Sequence, residues 1–173
     1  VALSDDDGFL LANQRIIFTI NGMDYFRTTN DQGIASININ LNSGNYSISS
    51  YYEGNENYES SSTTNNINIR PTIIGKDIVK NYKNDTQYYA TFVNSHGNLL
   101  INTQISFNIN GVFYQRKTNE NGIAKLNINL NPGDYIITAT NPINGEMYSN
   151  NVKVLPTIFA EDLNMVYRDG SKF

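Results

Sequence analysis

The chain has 173 residues, a net charge of −4, 39% hydrophobic residues and only 16% charged residues. This length is enough for one ordinary domain or two small ones, and the acidic balance excludes the basic surface that nucleic-acid binding needs. No apolar run approaches the roughly 18 residues of a membrane span, so we expect no membrane contact within this segment. Without cysteine there are no disulfides or thiolate metal sites, and a single histidine leaves little for acid–base catalysis. We expect no enzyme activity and no cofactor.

An internal repeat covers most of the chain. Residues 8–46 match residues 97–135 at an offset of 89, with 23 identities in 39 positions. Further on, Pro71-Thr72-Ile73 matches Pro156-Thr157-Ile158 at an offset of 85, so the second copy is four residues shorter before its last strand. The sequence therefore consists of two copies of one type of domain.

The second copy is predicted to contain short strands and no helix. Alternation of apolar and polar residues predicts seven strand regions: Thr72–Tyr82, Gln87–Val93, Gln104–Asn110, Val112–Lys117, Ile123–Leu130, Tyr135–Thr140 and Met147–Val154. Asn110-Gly111 predicts a type I′ hairpin turn, because both residues tolerate positive φ angles. Seven short strands per repeat predict an all-β fold made of tandem immunoglobulin-like β-sandwich repeats.

One tyrosine in each copy supports this fold. Tyr46 and Tyr135 follow a Gly-Asn or Gly-Asp pair at the start of the sixth predicted strand. This is the position of a tyrosine corner, in which the hydroxyl bonds to the preceding connection. The cysteine pair and tryptophan of antibody domains are missing, so burial of Ile, Leu, Phe and Tyr must hold the sheets together.

Several stretches of the second copy resemble a known repeat type. They are Ile109–Tyr114 (INGVFY), Asn119–Ala124 (NENGIA) and Asn127–Tyr135 (NINLNPGDY). These residues resemble the tandem immunoglobulin-like repeats of adhesin-like cell-surface proteins of methanogenic archaea, and the similarity covers essentially the whole chain. The resemblance implies an extracellular, cell-surface setting in a cell-wall-anchored or fibrous protein, in which such repeats serve as stalks, spacers or binding domains.

The two ends of the sequence do not coincide with the predicted domain boundaries. Residues 1–70 are predicted to form a repeat that lacks its first strand, residues 71–156 a complete repeat, and residues 157–173 the first strand of a following repeat. The apolar positions of this last segment match those of the complete copy and are candidates for a donated strand: Ile158, Leu163, Tyr167 and Phe173.

Two interpretations account for this arrangement. In one, the segment belongs to a longer tandem array. In the other, the tail of one subunit completes the first repeat of the next by strand addition and builds a head-to-tail fibre. The first is favoured because a break within a strand is an unusual place for subunit termini, and both predict a filament of repeated copies.

Two turns carry polar residues of chemical interest. Asp5-Asp6-Asp7-Gly8 offers the oxygen ligands that calcium prefers, but the second copy has Asn94-Ser95-His96-Gly97 there, which is a poor equivalent. We therefore expect a solvated turn and no metal site. His96 is expected to be exposed and without a catalytic role.

Aromatic and arginine residues recur on one strand of each copy. Tyr25 and Arg27 match Tyr114 and Arg116. Such a pair can stack on a sugar or a partner peptide, although cross-strand packing is the more common role. Asn84 and Asn45 fit the acceptor pattern for N-glycosylation, and Asn84 is favoured because it lies in a predicted turn.

These features favour a structural role. We expect a stalk or fibre element whose junctions are stiffened by Pro71 and Pro156, with further copies of the same repeat as partners. The alternative is an adhesion module that binds a cell-wall glycan, a protein, or a host or partner-cell surface.

Overall fold

The computed structural model describes residues 1–172, which fold as two units, Val1–Pro71 and Thr72–Phe173. Every regular element in this range is a β-strand, and each unit has a hydrophobic core of its own. The predicted all-β, immunoglobulin-like class is confirmed by the strands and their pairing. Within residues 1–172 no helix is long and apolar enough to cross a membrane.

Unit 1 contains one four-stranded sheet. Its strands are β1 (Arg15–Ile20), β2 (Met23–Thr28), β3 (Gly44–Tyr52) and β4 (Ser61–Ile69), in the spatial order β2-β1-β3-β4 with antiparallel pairing throughout. Alternate residues of β1, namely Ile16, Phe18 and Ile20, are buried. The opposite layer consists only of isolated bridges, from Ala2 to Ile34 and from Ser4 to Leu10.

Unit 2 is a complete sandwich. Its strands are β5 (Ile73–Gly75), β6 (Ile78–Asn81), β7 (Gln87–Phe92), β8 (Gln104–Ile109), β9 (Val112–Lys117), β10 (Ile123–Asn127), β11 (Gly133–Thr140) and β12 (Met147–Leu155). They form a three-stranded sheet, β10-β7-β5, and a five-stranded sheet, β6-β12-β11-β8-β9. Between the sheets, Tyr88 and Phe107 pack edge to face with ring centroids 5.5 Å apart.

The two local predictions about turns are confirmed in both units. Asn110 and Gly111 have φ angles of 51° and 78°, as the type I′ turn between β8 and β9 requires. The hydroxyls of Tyr46 and Tyr135 donate to the carbonyls of Asn42 and Asn131, each at 2.9 Å, which forms the tyrosine corner.

Two predicted strands of unit 2 differ from the structure by more than two residues. The region Thr72–Tyr82 is not one strand but two, because the chain crosses from the three-stranded sheet to the five-stranded sheet between β5 and β6. The strand predicted to reach Leu130 ends at Asn127. Beyond it, the carbonyl of Ile128 accepts a hydrogen bond from the buried Lys80 ammonium at 2.7 Å.

Candidate functional site: the open face of the first unit

Unit 1 has a groove at a position that is occupied by strand β5 in unit 2. We call this groove the open face, and its lining includes Val1–Leu3, Ile16, Tyr52 and Ser61–Thr63. At offsets of 89 and 85, residues 1–3 and 61–63 of this lining correspond to residues 90–92 and 146–148 of unit 2, which flank the chain at residues 72–75. No strand within residues 1–71 corresponds to β5 or β6.

In unit 2, β5 and β6 occupy the corresponding positions. β5 pairs antiparallel with β7, with Ile73 opposite Phe92, and β6 pairs parallel with β12, with Ile78 opposite Val152. The Ile73 side chain is fully buried. These short strands therefore cover one edge of each sheet and contribute to the core.

Four apolar positions are less buried in unit 1 than in unit 2. In unit 2 four such residues are at most 2% exposed: Leu126, Ile128, Val152 and Val154. In unit 1 the matching Ile37, Ile67 and Ile69 are only half-buried, and Ile39 is 39% exposed. Part of the apolar core of unit 1 is thus more exposed to water than its counterpart in unit 2.

An aspartate fastens β6 to β12 in unit 2. The Asp77 carboxylate accepts hydrogen bonds from the backbone and side-chain amides of Asn151, at 2.8 and 3.0 Å, and from the Asn150 side chain at 3.1 Å. The bond from the Asn151 backbone is the main cause that holds the pKa of Asp77 below its ordinary value. We call these three residues the polar clamp.

A glycine in β5 makes room for a buried tyrosine. The Tyr88 hydroxyl donates to the Asn150 side chain at 2.7 Å, and a Cβ at Gly75 would lie 2.2 Å from that hydroxyl. Burial, and secondarily Tyr148 and Asp77, raises the pKa of Tyr88 to about 12. The Asn150 side-chain oxygen would lie 2.3 Å from the same Cβ, so glycine at position 75 makes room for both hydrogen-bonded groups.

The candidate donor residues lie in a segment without regular structure. Ile158 and Tyr167 are 85% and 82% exposed, and Leu163 is 39% exposed. Residues 157–172 form no strand, so their assignment as the first strand of a repeat stays a prediction. Phe173, the fourth candidate, lies outside the described residues.

The acidic residues at the N-terminus shape a turn. One oxygen of Asp5 accepts hydrogen bonds from the amides of Asp7 and Phe9, at 3.1 and 2.8 Å. Asn94 does the same in unit 2, toward the amides of His96 and Asn98. Residues 1–172 contain no group of three or more His, Cys, Asp or Glu that could hold a metal ion. Asp5 therefore acts in this structure as a turn-forming residue.

The histidine and the arginine pairs lie on the surface. The exposed His96 ring lies 3.5 Å from the Ser95 hydroxyl. The Arg116 guanidinium lies 5.8 Å from the Tyr114 ring, whereas in unit 1 the aromatic contact of β2 is Arg15 over Phe26, at 4.3 Å. The repeated Tyr and Arg spacing thus leads to different ring contacts in the two units.

The two glycosylation candidates have different surroundings. Asn84 is exposed in the turn after β6, where its backbone amide donates to Asn81. Asn45 lies in β3, and its side chain accepts a hydrogen bond from Asn68 on the neighbouring β4. Both residues are exposed, so whether either is glycosylated stays a prediction.

Sequence reasoning missed the polar clamp, although a signal for it exists. Asp77 recurs as Asp162, and the pair Asn150-Asn151 recurs as Asn65-Asn66, all at the offset of 85. The recurrence of these polar residues in both copies is the signal that could have identified them.

Neither a protein-family model nor a curated protein matches the chain. Among solved structures, the chain is similar to the fibronectin(III)-like modules of Clostridium thermocellum CbhA, with 12% identity, a TM-score of 0.38, and coverage of 95% of this chain and 87% of that one. A 1.5-MDa bacterial ice-binding adhesin matches with 14% identity, a TM-score of 0.30, and coverage of 84% and 54%. Domains 4–9 of surface layer protein SbsC match with 12% identity, a TM-score of 0.33, and coverage of 93% and 25%. The chain thus spans about half of the adhesin structure and a quarter of the SbsC structure.

Proposed function

We propose that the chain is a non-catalytic stalk or fibre element of an extracellular, adhesin-like surface protein, in which sandwich units follow one another end to end. The observation that carries this proposal is the path of the chain through unit 2. At one end, the Thr72 amide donates to the Glu146 carboxylate at 2.6 Å, and Glu146 directly precedes β12. At the other end, the carbonyl of Leu155, the last residue of β12, accepts from the Tyr82 amide at 2.8 Å.

The length of β12 sets the distance between these two ends. Its nine residues span roughly 30 Å at about 3.3 Å per residue. The chain therefore enters and leaves unit 2 at opposite ends of the sandwich, and a series of such units would extend along one direction. Pro156-Thr157-Ile158 follows β12 directly, as Pro71-Thr72-Ile73 precedes the rest of unit 2.

The pairing of β6 with β12 also suits a domain that bears mechanical tension. β6 and β12 pair in parallel over four register positions, from Ile78 with Val152 to Asn81 with Leu155. When the two ends of the unit are pulled apart, β6 and β12 are drawn in opposite directions along their length. The hydrogen bonds between the two strands are then loaded in shear, so all of them are stretched at the same time.

Mechanical unfolding tests the stalk role. The full chain, held by its two ends, should show a discrete unfolding event for unit 2 at a force that falls when Asp77→Asn weakens the attachment of β6 to β12. Lys153→Ala is the matched control, because Lys153 makes only an exposed ion pair with Asp134, at 3.9 Å. Extension without a discrete event, or equal loss in both variants, would contradict the proposal.

The extracellular setting is tested separately. Antibodies against the chain should label intact cells of the organism that makes it. Labelling that requires permeabilised cells would contradict the proposed location.

The alternative is a glycan- or protein-binding module, and one observation favours it. Arg116 lies beside the half-buried Tyr114 ring on β9, which is an edge strand of the five-stranded sheet. A guanidinium and an aromatic ring can together hold a sugar. Saturable binding on a glycan array that is lost in Arg116→Ala would favour the module, whereas an array negative throughout would favour the stalk.

A further inference from the structure

We propose that strand β9 of unit 2 pairs antiparallel with β9 of a second copy of the chain. Within residues 1–172, β8 is the only strand that pairs with β9. The other edge of β9 therefore offers backbone N–H and C=O groups to an added strand. This inference goes beyond the stalk role, because it concerns a contact between two chains rather than the path of one chain.

Hairpin geometry determines which backbone groups of β9 face the free edge. Ile109 and Val112 flank the two-residue turn and are directly paired, and residues in this position exchange their backbone hydrogen bonds. Hydrogen-bonded and non-hydrogen-bonded pairs alternate along antiparallel strands. Phe113, Gln115 and Lys117 therefore direct their N–H and C=O groups away from β8, and an added strand binds at these three residues.

The sequence of β9 is complementary to itself about Gln115. Two aromatic residues, Phe113 and Tyr114, precede this glutamine, and two cationic residues, Arg116 and Lys117, follow it. In an antiparallel pair of β9 strands centred on Gln115, Phe113 lies opposite the partner's Lys117, and Tyr114 lies opposite the partner's Arg116. Because successive side chains point to opposite faces of the sheet, an aromatic ring meets a cation on each face. The twofold symmetry of the pair makes each contact twice.

The aromatic side chains of β9 are accessible to such a partner. Phe113 is 68% exposed, and Tyr114 is half-buried at the border of the core. Across the new contact, Tyr114 and the partner's Arg116 form a non-hydrogen-bonded pair, in which the Cα atoms are about 4.5 Å apart and the side chains are closest. A cation beside an aromatic ring is favourable, and more so where the contact excludes water.

Charged residues on an edge strand can also serve to prevent pairing, and the order of residues in β9 argues against that role. In the register centred on Gln115, no cation lies opposite another cation. A register moved by two residues in one direction places Arg116 opposite the partner's Arg116, which is unfavourable. A register moved in the other direction places Tyr114 opposite the partner's Tyr114, and both shifts lose the pairs of ring and cation. The charges therefore select one register.

The edge strand β2 of unit 1 repeats half of this pattern. Tyr25 and Arg27 match the tyrosine and the arginine of β9, but Asp24 and Thr28 stand at the positions of its phenylalanine and lysine. The Asp24 carboxylate also accepts a hydrogen bond from the Thr19 hydroxyl of the neighbouring β1, at 2.5 Å. Only β9 pairs an aromatic residue with a cation on both faces, so the contact is assigned to β9.

The test measures self-association of the full chain by sedimentation equilibrium, at concentrations up to about 1 mM. We expect weak, reversible dimers, because strands of six residues give a small interface. Arg116→Ala should weaken the dimer about ten-fold, since this substitution removes two contacts between a ring and a cation per dimer. Lys153→Ala is the matched control. It removes the same charge from an exposed residue of β12, which lies between two other strands.

Two further variants test the backbone contact and its register. Gln115→Pro removes an N–H that faces the free edge, where proline is tolerated, so the dimer should be lost while β8 and β9 stay paired. The chain has no cysteine, so Gln115→Cys introduces a single thiol. At the centre of the pair the two Cα atoms would be about 5.5 Å apart, which suits a disulfide. Oxidation should crosslink Gln115→Cys faster than the control Lys153→Cys.

Several outcomes would overturn the proposal. A chain that stays monomeric up to about 1 mM would do so, as would a dimer that persists in Gln115→Pro. Stronger association of Arg116→Ala would show that the charge protects the edge instead of joining it. Equal effects of Arg116→Ala and Lys153→Ala would assign the association to net charge, and equal crosslinking of the two cysteine variants would assign it to random collision. Cell labelling and mechanical unfolding of single chains are independent of these results, so the stalk role is tested separately.

Discussion

The Asp77 carboxylate accepts a hydrogen bond from the backbone amide of Asn151 at 2.8 Å and a second from the Asn151 side chain at 3.0 Å. Asp77 directly precedes β6, and Asn151 lies within β12. The contact therefore fixes the point at which the chain, having left the three-stranded sheet, joins the five-stranded one. It connects parts of the sequence that are 74 residues apart.

Replacing Asp77 should lower the stability of unit 2 in a way that depends on pH. The pKa of Asp77 is lowered in the folded state, so its stabilising contribution is present above the unfolded value of about 3.9 and is lost as pH falls through the folded value. Thermal unfolding of the wild type and Asp77→Asn should differ clearly at neutral pH. The difference should shrink as the pH falls below about 4. A difference that is constant across this range would show that the charge is not responsible.

The strand pattern was predictable because alternation is a local property. The turn at Asn110-Gly111 and the tyrosine corner at Tyr135 were predictable for the same reason, since each depends on residues a few positions apart. The division of Thr72–Tyr82 into β5 and β6 was not. Apolar residues continue through Ile73 and Ile78, and alternation does not show that the two face partners on different sheets.

The candidate site could be predicted only in part. The repeat offset identified Ile158, Leu163 and Tyr167 as equivalents of core residues. The polar clamp was missed, because aspartate and asparagine next to a strand are also typical of ordinary turns. What distinguishes Asp77 is its set of partners on β12, which are distant in sequence and brought close by the parallel pairing of β6 and β12.

Gly75→Ala should destabilise unit 2, and Tyr88→Phe should relieve part of that loss. A Cβ at position 75 would lie 2.2 Å from the Tyr88 hydroxyl and 2.3 Å from the Asn150 side-chain oxygen. Overpacking of this kind costs about 1–3 kcal/mol. In the double variant the methyl group no longer meets the hydroxyl, and only the Asn150 side-chain oxygen has to move away from it. A double-mutant cycle by chemical denaturation gives the coupling energy, and additive losses would contradict the shared space.

Tyr88 should make unit 2 sensitive to alkaline pH. Burial raises the pKa of Tyr88 to about 12 in the folded state, whereas the pKa of an unfolded tyrosine is about 10. Between these two pH values the unfolded chain loses the tyrosine proton more readily than the folded chain. Stability should therefore fall as pH rises through this window. Denaturation curves across it should show a smaller decline for Tyr88→Phe than for the wild type. Equal declines would assign the alkaline loss to other groups.

Two equivalent threonines should each contribute to the stability of their unit. The buried Thr118 hydroxyl donates to the Leu100 carbonyl at 2.6 Å and accepts from the Thr103 amide at 2.9 Å. Thr29 does the same toward Leu11 and Gln14. Replacement by valine keeps the shape and leaves both backbone groups without this partner, at a cost of about 1–3 kcal/mol.

The measurement is chemical denaturation of Thr118→Val and Thr29→Val, followed separately for the two units by hydrogen exchange. Each substitution should lower the protection of its own unit. Thr138→Val is the control, because the Thr138 hydroxyl bonds only to the exposed Ser149 hydroxyl, at 2.9 Å, where water can replace the lost partner. A loss at Thr138 as large as that at Thr118 would mean that burial of the hydroxyl does not set the cost.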